Sequence, residues 1–406
     1  MSIESSLVET LEWLFRTRAP AAVDAKARAL VLDTLGCAIA GRRHAEVQAY
    51  ARSLEAADPG SASSAAALFA SAACWDEACE GLARAHGRPG VAVLAACGAL
   101  ARRHGFSYQK LLDAYVVGYE LGGRLGEALR IAPGMHVDAT WPSLGVAAAV
   151  VQLLEGTAAQ ALAAVRIAAC QIPNSLYLPI TAGANARNTY LAHAAQLGML
   201  AASAALGGVV APEGAVQGTA IAPPGEWLIL EAYTKPYAAV RHVHYGAAAA
   251  QALRPDIGDR LKEIRGIELA VYKEALTYCG NRAPKTPIQA QFSLSYGVAC
   301  MLATGKLEPA SYDPEVLERE DVRILESLVE LQEREDLTIT GQRGASISIE
   351  LPGEMLMYAV ETVPGDPGQP MSREEVLAKF ARYAGRDGRA ILEAPGERKF
   401  SEVSPT

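Results

Sequence analysis

Aromatic residues are scarce in this 406-residue chain, at 6%, although half of its residues are hydrophobic and Ala fills many of the apolar positions. A core of small side chains favours closely packed helices over a β-sandwich. An excess of positive charge is also missing, since 37 Lys and Arg stand against 45 Asp and Glu, for a formal charge of −8. That leaves no electrostatic footprint for nucleic acid or an anionic membrane. Long apolar runs are absent as well: the most hydrophobic stretch, residues 197–212, is rich in Ala and Gly and too short to span a bilayer, so it reads as a buried helix. The first residues carry neither a cationic start nor an apolar stretch of the secretory kind, which points to the cytoplasm. The seven Cys are odd in number and scattered, as expected of reduced core thiols. Their closest pair, Cys74 and Cys79, lacks the short gap and second ligand pair of a zinc site. No GxGxxG, Walker A, GxSxG, HExxH or CxxC motif occurs, so neither a cofactor nor a metal is expected.

What is present is first of all helical. Ser6-x-x-Glu9 has the form of a capping box, opening a helix with Leu7, Leu11 and Leu14 on one side. A second helix starts at Pro20 and closes at Gly41. Helical periodicity continues to about residue 230, through 90–103, 108–129, 143–154, 158–169 and 192–206. After Lys235 the pattern changes. Ile267, Leu269 and Val271 alternate with other residues, as do Ile347, Ile349 and Leu351, and Pro352-Gly353-Glu354 marks a hairpin. Asp313-Pro314 caps a helix expected to run to about Glu330. A second capping box, Ser372-x-x-Glu375, starts a last helix with Val376, Leu377 and Phe380 inward. The fold class is therefore mainly α with an α+β part. Residues 1–231 form a helical domain, 232–370 an α+β lid, and 371–406 a helix returning to the helical domain and a mobile tail.

Chemistry is sought among the histidines. His86 and His136 stand in Gly-containing breaks before helices, where they can bind anions or move protons. Asp76, Glu80 and Arg84 are spaced as an ion-pair ladder on one helix face. His242-x-His244 lacks a third ligand and reads as packing.

Several segments together resemble the MmgE/PrpD family, which includes 2-methylcitrate dehydratase, cis-aconitate decarboxylase and iminodisuccinate epimerase. They are Leu32-Asp33-Thr34-Leu35-Gly36 with Ala40-Gly41, His86-Gly-Arg-Pro-Gly, Gly118-Tyr119-Glu120-Leu121 and Gly134-Met135-His136. Ala194-Ala195-Gln196-Leu197-Gly198, Lys235-Pro236-Tyr237, Gln291-Phe292-Ser293-Leu294 and Lys379-Phe380 continue the series in the family's order. The resemblance spans nearly the whole chain and implies a large helical domain with an α+β lid inserted before the last helices. It also implies a homodimer joined through the helical domains, and enzymes that act without a cofactor.

The family's active site lies between the two domains and uses an Asp, a Thr, two His and two Lys. Carried over, the Asp matches Asp76 and the His residues match His86 and His136, while the lid Lys matches Lys235. Glu80 stands where the family has Thr, and Arg187 where it has the helical-domain Lys. Unlike Lys, Arg stays protonated and binds a carboxylate in a bidentate manner, so Arg187 is expected to hold substrate and not to abstract a proton. Arg88, Tyr190 and Tyr237 join it and Glu80 as substrate contacts. In this reading Lys235 polarises a carboxylate, His86 or His136 moves the proton next to it, and Asp76 orients a partner. The resemblance thus implies a cofactor-independent lyase on a small di- or tricarboxylate, similar to 2-methylcitrate dehydratase. A decarboxylase or an epimerase on another small acid, and a family-fold binding protein without catalysis, remain alternatives.

Overall fold

The computed structural model describes residues 3–404 apart from Arg130 and Thr219. Its first helix, Ile3–Arg16, begins before Ser6, so Ser6 and Glu9 lie within the helix and do not cap it. The Ala21–Gly41 helix is buried without a break from Leu30 to Ala38 and packs against the Ala62–Cys74 and Arg373–Ala384 helices. Gly41 is the last residue of its helix for a reason of packing, not of capping. A Cβ there would stand 1.9 Å from the Ala72 carbonyl oxygen, whereas the capping residue is Arg42 in right-handed conformation.

The Pro142–Leu153 helix, apolar all round, lies between the Tyr108–Ala128 and Tyr190–Leu206 helices. Gly145 permits its crossing, because a Cβ at that position would meet the Gly118 carbonyl oxygen at 2.5 Å. The Ala-rich composition has the same consequence throughout: small residues let helix axes approach closely, and dispersion over many short contacts replaces large aromatic anchors.

All strands of the described residues lie between 266 and 360 and form one sheet. β1 (Gly266–Val271), β2 (Val329–Glu333), β3 (Ala345–Leu351) and β4 (Glu354–Val360) are ordered β2-β1-β3-β4, with β1 and β2 parallel and the other pairs antiparallel. Leu269 faces Ile347 on one side and Leu331 on the other. The Arg241–Ile257 helix packs on β3 and β4, and the Leu294–Thr304 helix packs against it in turn. The helix expected from Asp313 to Glu330 is instead two short pieces, Pro314–Leu317 and Glu320–Ser327, followed by β2. Pairing with β1 draws Val329–Glu333 into the sheet although only Val329 there is buried.

The capping box at Ser372 is present, with the Ser372 hydroxyl accepting from the Glu375 N–H and the Glu375 carboxylate accepting from the Ser372 N–H. Its helix lays Phe380 over Gly36 and joins Lys379 to Asp33 of the Ala21–Gly41 helix. The stretch read as a mobile tail is packed as far as Ser404. Phe400 is buried and donates its N–H to Phe106 O, and Arg398 O accepts from Tyr108 N.

No helix among the described residues is long and apolar enough to cross a membrane. The seven cysteines are unpaired; six are buried and Cys170 is exposed, outside the core expected for all of them.

Candidate functional site

Two irregular segments break the helical part, one between the Ala62–Cys74 and Pro89–His104 helices and one between Ala128 and Pro142. The first carries Glu77, His86 and Arg88, and the second His136 and Asp138. A short antiparallel bridge, Gly81 N to Tyr233 O at 3.1 Å and Tyr233 N to Gly81 O at 2.8 Å, lays the chain that bears Lys235 beside the first segment. These segments and the sheet-bearing part enclose a cavity of about 280 Å³. Glu77 and His86 hold left-handed backbone conformations, φ 51° and 53°, which non-glycine residues adopt at a cost of order 1–3 kcal/mol.

The floor is a buried charge network. Glu77 Oε2 lies 2.5 Å from Arg187 Nη2 and accepts from Arg88 Nη1 at 3.2 Å, while Oε1 accepts from Lys235 Nζ at 2.6 Å. Lys235 Nζ also donates to the Glu77 carbonyl at 3.0 Å. Asp138 accepts from Arg88 Nη2 and lies 3.4 Å from Arg187 Nη2. Burial alone would raise the Glu77 carboxyl, but Arg187, Arg88 and Lys235 together hold it well below the usual range. Burial lowers the Lys235 ammonium from its ordinary value, against the pull of Glu77. The buried Arg187 Nε has no hydrogen-bond partner among the described residues.

His136 adjoins this floor. Burial pushes its imidazole down to about 4; Asp138 opposes this, and Arg187 and Arg88 add to it. The ring is therefore neutral at pH 7. Nδ1 accepts from the Asp138 backbone N–H at 3.1 Å, so the ring's single proton sits on Nε2. A neutral ring of that tautomer donates a hydrogen bond and does not take a proton at Nε2.

The other walls come largely from the sheet-bearing part. Arg343, just before β3, lines the cavity with Arg241, His242 and Glu274. Arg241 is paired with Asp366, and the His242 ring meets the Tyr272 hydroxyl at 2.5 Å. His86 Nδ1 lies 3.9 Å from Glu274 Oε1, with both side chains about two-fifths exposed. Tyr177, Tyr278 and Phe292 form an aromatic side, with Arg187 above the Phe292 ring.

Of the residues singled out in the sequence, His86, Arg88, His136, Arg187 and Lys235 line this cavity together. Asp76 does not. Its Oδ1 is bound to His44 Nε2 at 2.7 Å, and the carboxylate that meets the cations is the next residue, Glu77. Glu80 is fully buried behind the lining, where it accepts from Gly90 N at 2.9 Å and Tyr119 OH at 3.2 Å, so it has no reach to a substrate. Burial pushes it up to about 8. Nor do Asp76, Glu80 and Arg84 form a ladder: the helix ends at Cys74, and Arg84 pairs with Glu127, Glu226 and Glu231. Tyr190 donates to Leu176 O at 2.8 Å and stands edge-on to His136, while Tyr237 donates to Gln251 at 2.6 Å. Both tyrosines are outside the lining, and Tyr190 packs against it through His136. Of the histidine pair read as packing, His244 is buried against Ala239 O, but His242 faces the cavity.

Glu77, Asp138, Glu274 and Arg343 escaped the sequence reading. Asp138, two residues after His136, had a local signal in the His-x-Asp spacing; the others had none. No cluster of three or more His, Cys, Asp or Glu among the described residues is placed to hold a metal ion.

Comparison with known families returns two matches. The MmgE/PrpD N-terminal domain matches residues 7–221 and the MmgE/PrpD C-terminal domain residues 237–390. No curated protein matches the chain significantly.

Proposed function

Because the chain belongs to the MmgE/PrpD family, known for dehydratases and decarboxylases, we propose that its cavity eliminates water from a small hydroxylated di- or tricarboxylate. The division into a helical body, residues 1–231 with 371–406, and a lid, 232–370, belongs to the same proposal.

The observation that carries it is the contrast between two histidines on one cavity. His86 Nδ1 lies 3.9 Å from Glu274 Oε1, and a carboxylate that holds the ring proton on Nδ1 makes Nε2 the basic nitrogen once that gap tightens around a substrate. His136 is fixed as a neutral Nε2–H donor. In the elimination, His86 Nε2 takes the proton next to a carboxylate. The charge that develops on that carboxylate is met by His136 Nε2–H and the unpartnered Arg187 Nε–H. The hydroxyl then leaves as water with a proton from the Lys235 ammonium, which burial has made a stronger acid. The proton held by His86 afterwards returns to Lys235. A single base and a separate acid favour elimination over epimerisation, which needs a second base on the opposite face.

The test is proton NMR in D2O with 2-methylcitrate, citrate and malate. Olefin formation by the wild type, reduced by about 10² to 10⁴ in His86→Gln with folding intact, is the expected result. Deuterium uptake with no net loss of hydroxyl would make the protein an epimerase. No reaction with any hydroxy acid, or full activity in His86→Gln, would overturn the reading.

A further inference from the structure

Four of the five Lys and Arg side chains on the cavity wall have a carboxylate within ion-pair distance. Arg88 and Arg187 share Glu77 and Asp138, Lys235 has Glu77, and Arg241 has Asp366. Arg343 is the exception, with no hydrogen bond or ion pair to any described residue. Its neighbours in the cavity's electrostatic field are the phenols of Tyr272, Tyr233 and Tyr245 and, more weakly, Glu274. A guanidinium stays charged at any physiological pH, so this wall presents to whatever enters one positive charge without a direct ion pair among the described residues.

Its placement is firm. Gly344 follows it, and a Cβ on Gly344 would stand 2.8 Å from Val360 O, so the backbone here lies tight against the end of β4. The next residue, Ala345, pairs with Val360 in the sheet. A cation on a rigid strand end is preorganised for a ligand and loses little entropy in meeting one. Beside it, burial and then Arg343 itself drive the His242 imidazole well below its ordinary value, which keeps that ring neutral. The His242 Nδ1 is hydrogen-bonded to the Tyr272 hydroxyl, which fixes the ring beside Arg343.

We propose that Arg343 binds a second carboxylate of the substrate, remote from the one held on the floor, and so makes the site selective for dicarboxylates over monocarboxylates of the same length. The floor sets three cations, Arg88, Arg187 and Lys235, against two carboxylates, Glu77 and Asp138, and offers one substrate carboxylate the Lys235 ammonium, the Arg187 Nε–H and the His136 Nε2–H. Arg343 lines the same cavity from the sheet-bearing part of the chain. An acid with carboxylates at both ends therefore spans the two parts, and one with a single carboxylate leaves Arg343 unpaired. The cavity volume of about 280 Å³ suits a compact acid. This inference deepens the reading of the cavity as a carboxylate site and does not depend on which bond is broken there.

The experiment is calorimetric titration of the full chain with succinate and with butyrate at millimolar concentration, for wild type, Arg343→Gln and Arg343→Lys. In the wild type, succinate is expected to bind at least about tenfold more tightly than butyrate. Arg343→Gln should weaken succinate about ten- to hundredfold and leave butyrate within about twofold, with Arg343→Lys between, since one bidentate charge-assisted contact is lost. Unchanged succinate binding in Arg343→Gln, equal weakening of both acids, or no succinate binding by wild type would overturn the proposal. Should Arg343→Gln fail to fold, the succinate-to-butyrate ratio in Arg343→Lys decides, an unchanged ratio counting against. Normal succinate selectivity without any elimination reaction would sink the proposed activity and leave this inference standing.

Discussion

On the floor of the cavity Glu77 and Asp138 hold Arg88, Arg187 and Lys235 in direct contact, and all five side chains are at most 4% exposed. On the same cavity Arg343 has no hydrogen bond or ion pair to any described residue, and His86 and Glu274 are 3.9 Å apart with two-fifths of each side chain open to solvent. The floor is a paired charge network with one positive charge in excess. Its charges were desolvated on folding, which is tolerable because each of the three cations touches at least one of the two carboxylates, and the one positive charge in excess suits an incoming carboxylate. The wall that bears Arg343 is unfinished, and a ligand completes it. Binding selectivity therefore belongs to the wall, and field strength to the floor.

The largest effect should come from breaking the floor. Glu77→Gln leaves three buried cations with one carboxylate, and removing one partner of a buried ion pair costs about 3 to 5 kcal/mol. Urea unfolding followed by circular dichroism at pH 7 should show a correspondingly lower midpoint, with activity lost. Acid sharpens the same point. The Glu77 carboxyl is held well below 4.5 in the folded chain, so its contribution is fully present above about 4.5 and disappears as pH falls through its own lower value. Glu77→Gln should lose that part of the acid sensitivity, and an unchanged acid midpoint would show that the floor is not paired as described.

Glu80 separates burial from pairing. It is as buried as Glu77 but has no ion pair, and burial, with Cys79 adding and the Gly90 and Tyr119 hydrogen bonds opposing, pushes it up to about 8. The folded chain thus binds a proton that the unfolded chain has released between about pH 4.5 and pH 8, and stability falls as pH rises through that window. Glu80→Gln should match the wild type near pH 4.5 and then gain on it by up to about 1.4 kcal/mol per pH unit. Urea midpoints at pH 5, 6.5 and 8 test this; parallel curves for the two proteins would mean that Glu80 is ionised inside the fold.

How these two carboxylates were read shows where sequence reasoning stops. The long helices were legible because burial repeats with helical period over a dozen residues, and the Ala158–Ala169 helix falls where that period placed it. β1, β3 and β4 were legible through alternation; β2 was not, because its five residues bury only Val329 and owe their conformation to β1. Within the site, His86 and His136 were legible as histidines in Gly-containing breaks, Arg187 and Lys235 only through the family resemblance, and the four share the cavity. Asp76 and Glu77 are adjacent acids, and only the left-handed backbone at Glu77 decides which one turns to the cations. Arg343 lies some hundred residues from Lys235 in the chain, and no local pattern marks an arginine that lacks a counter-ion.

The smallest effect on stability, and the most specific on chemistry, is expected at the wall. Glu274 is two-fifths exposed, and its one charged neighbour within ion-pair range among the described residues is His86. Surface pairs of this kind contribute about 0 to 1 kcal/mol, so Glu274→Gln should unfold with nearly the wild-type midpoint. If the carboxylate holds the His86 proton on Nδ1, its loss lets the proton occupy Nε2 part of the time, and the base is then absent for that fraction. Turnover should fall about tenfold while KM stays within twofold, because Glu274 acts through His86 and touches no substrate carboxylate. Steady-state kinetics on the accepted hydroxy acid give the split. A rise in KM at constant kcat would place Glu274 in substrate binding, and no change in either would release His86 from its control.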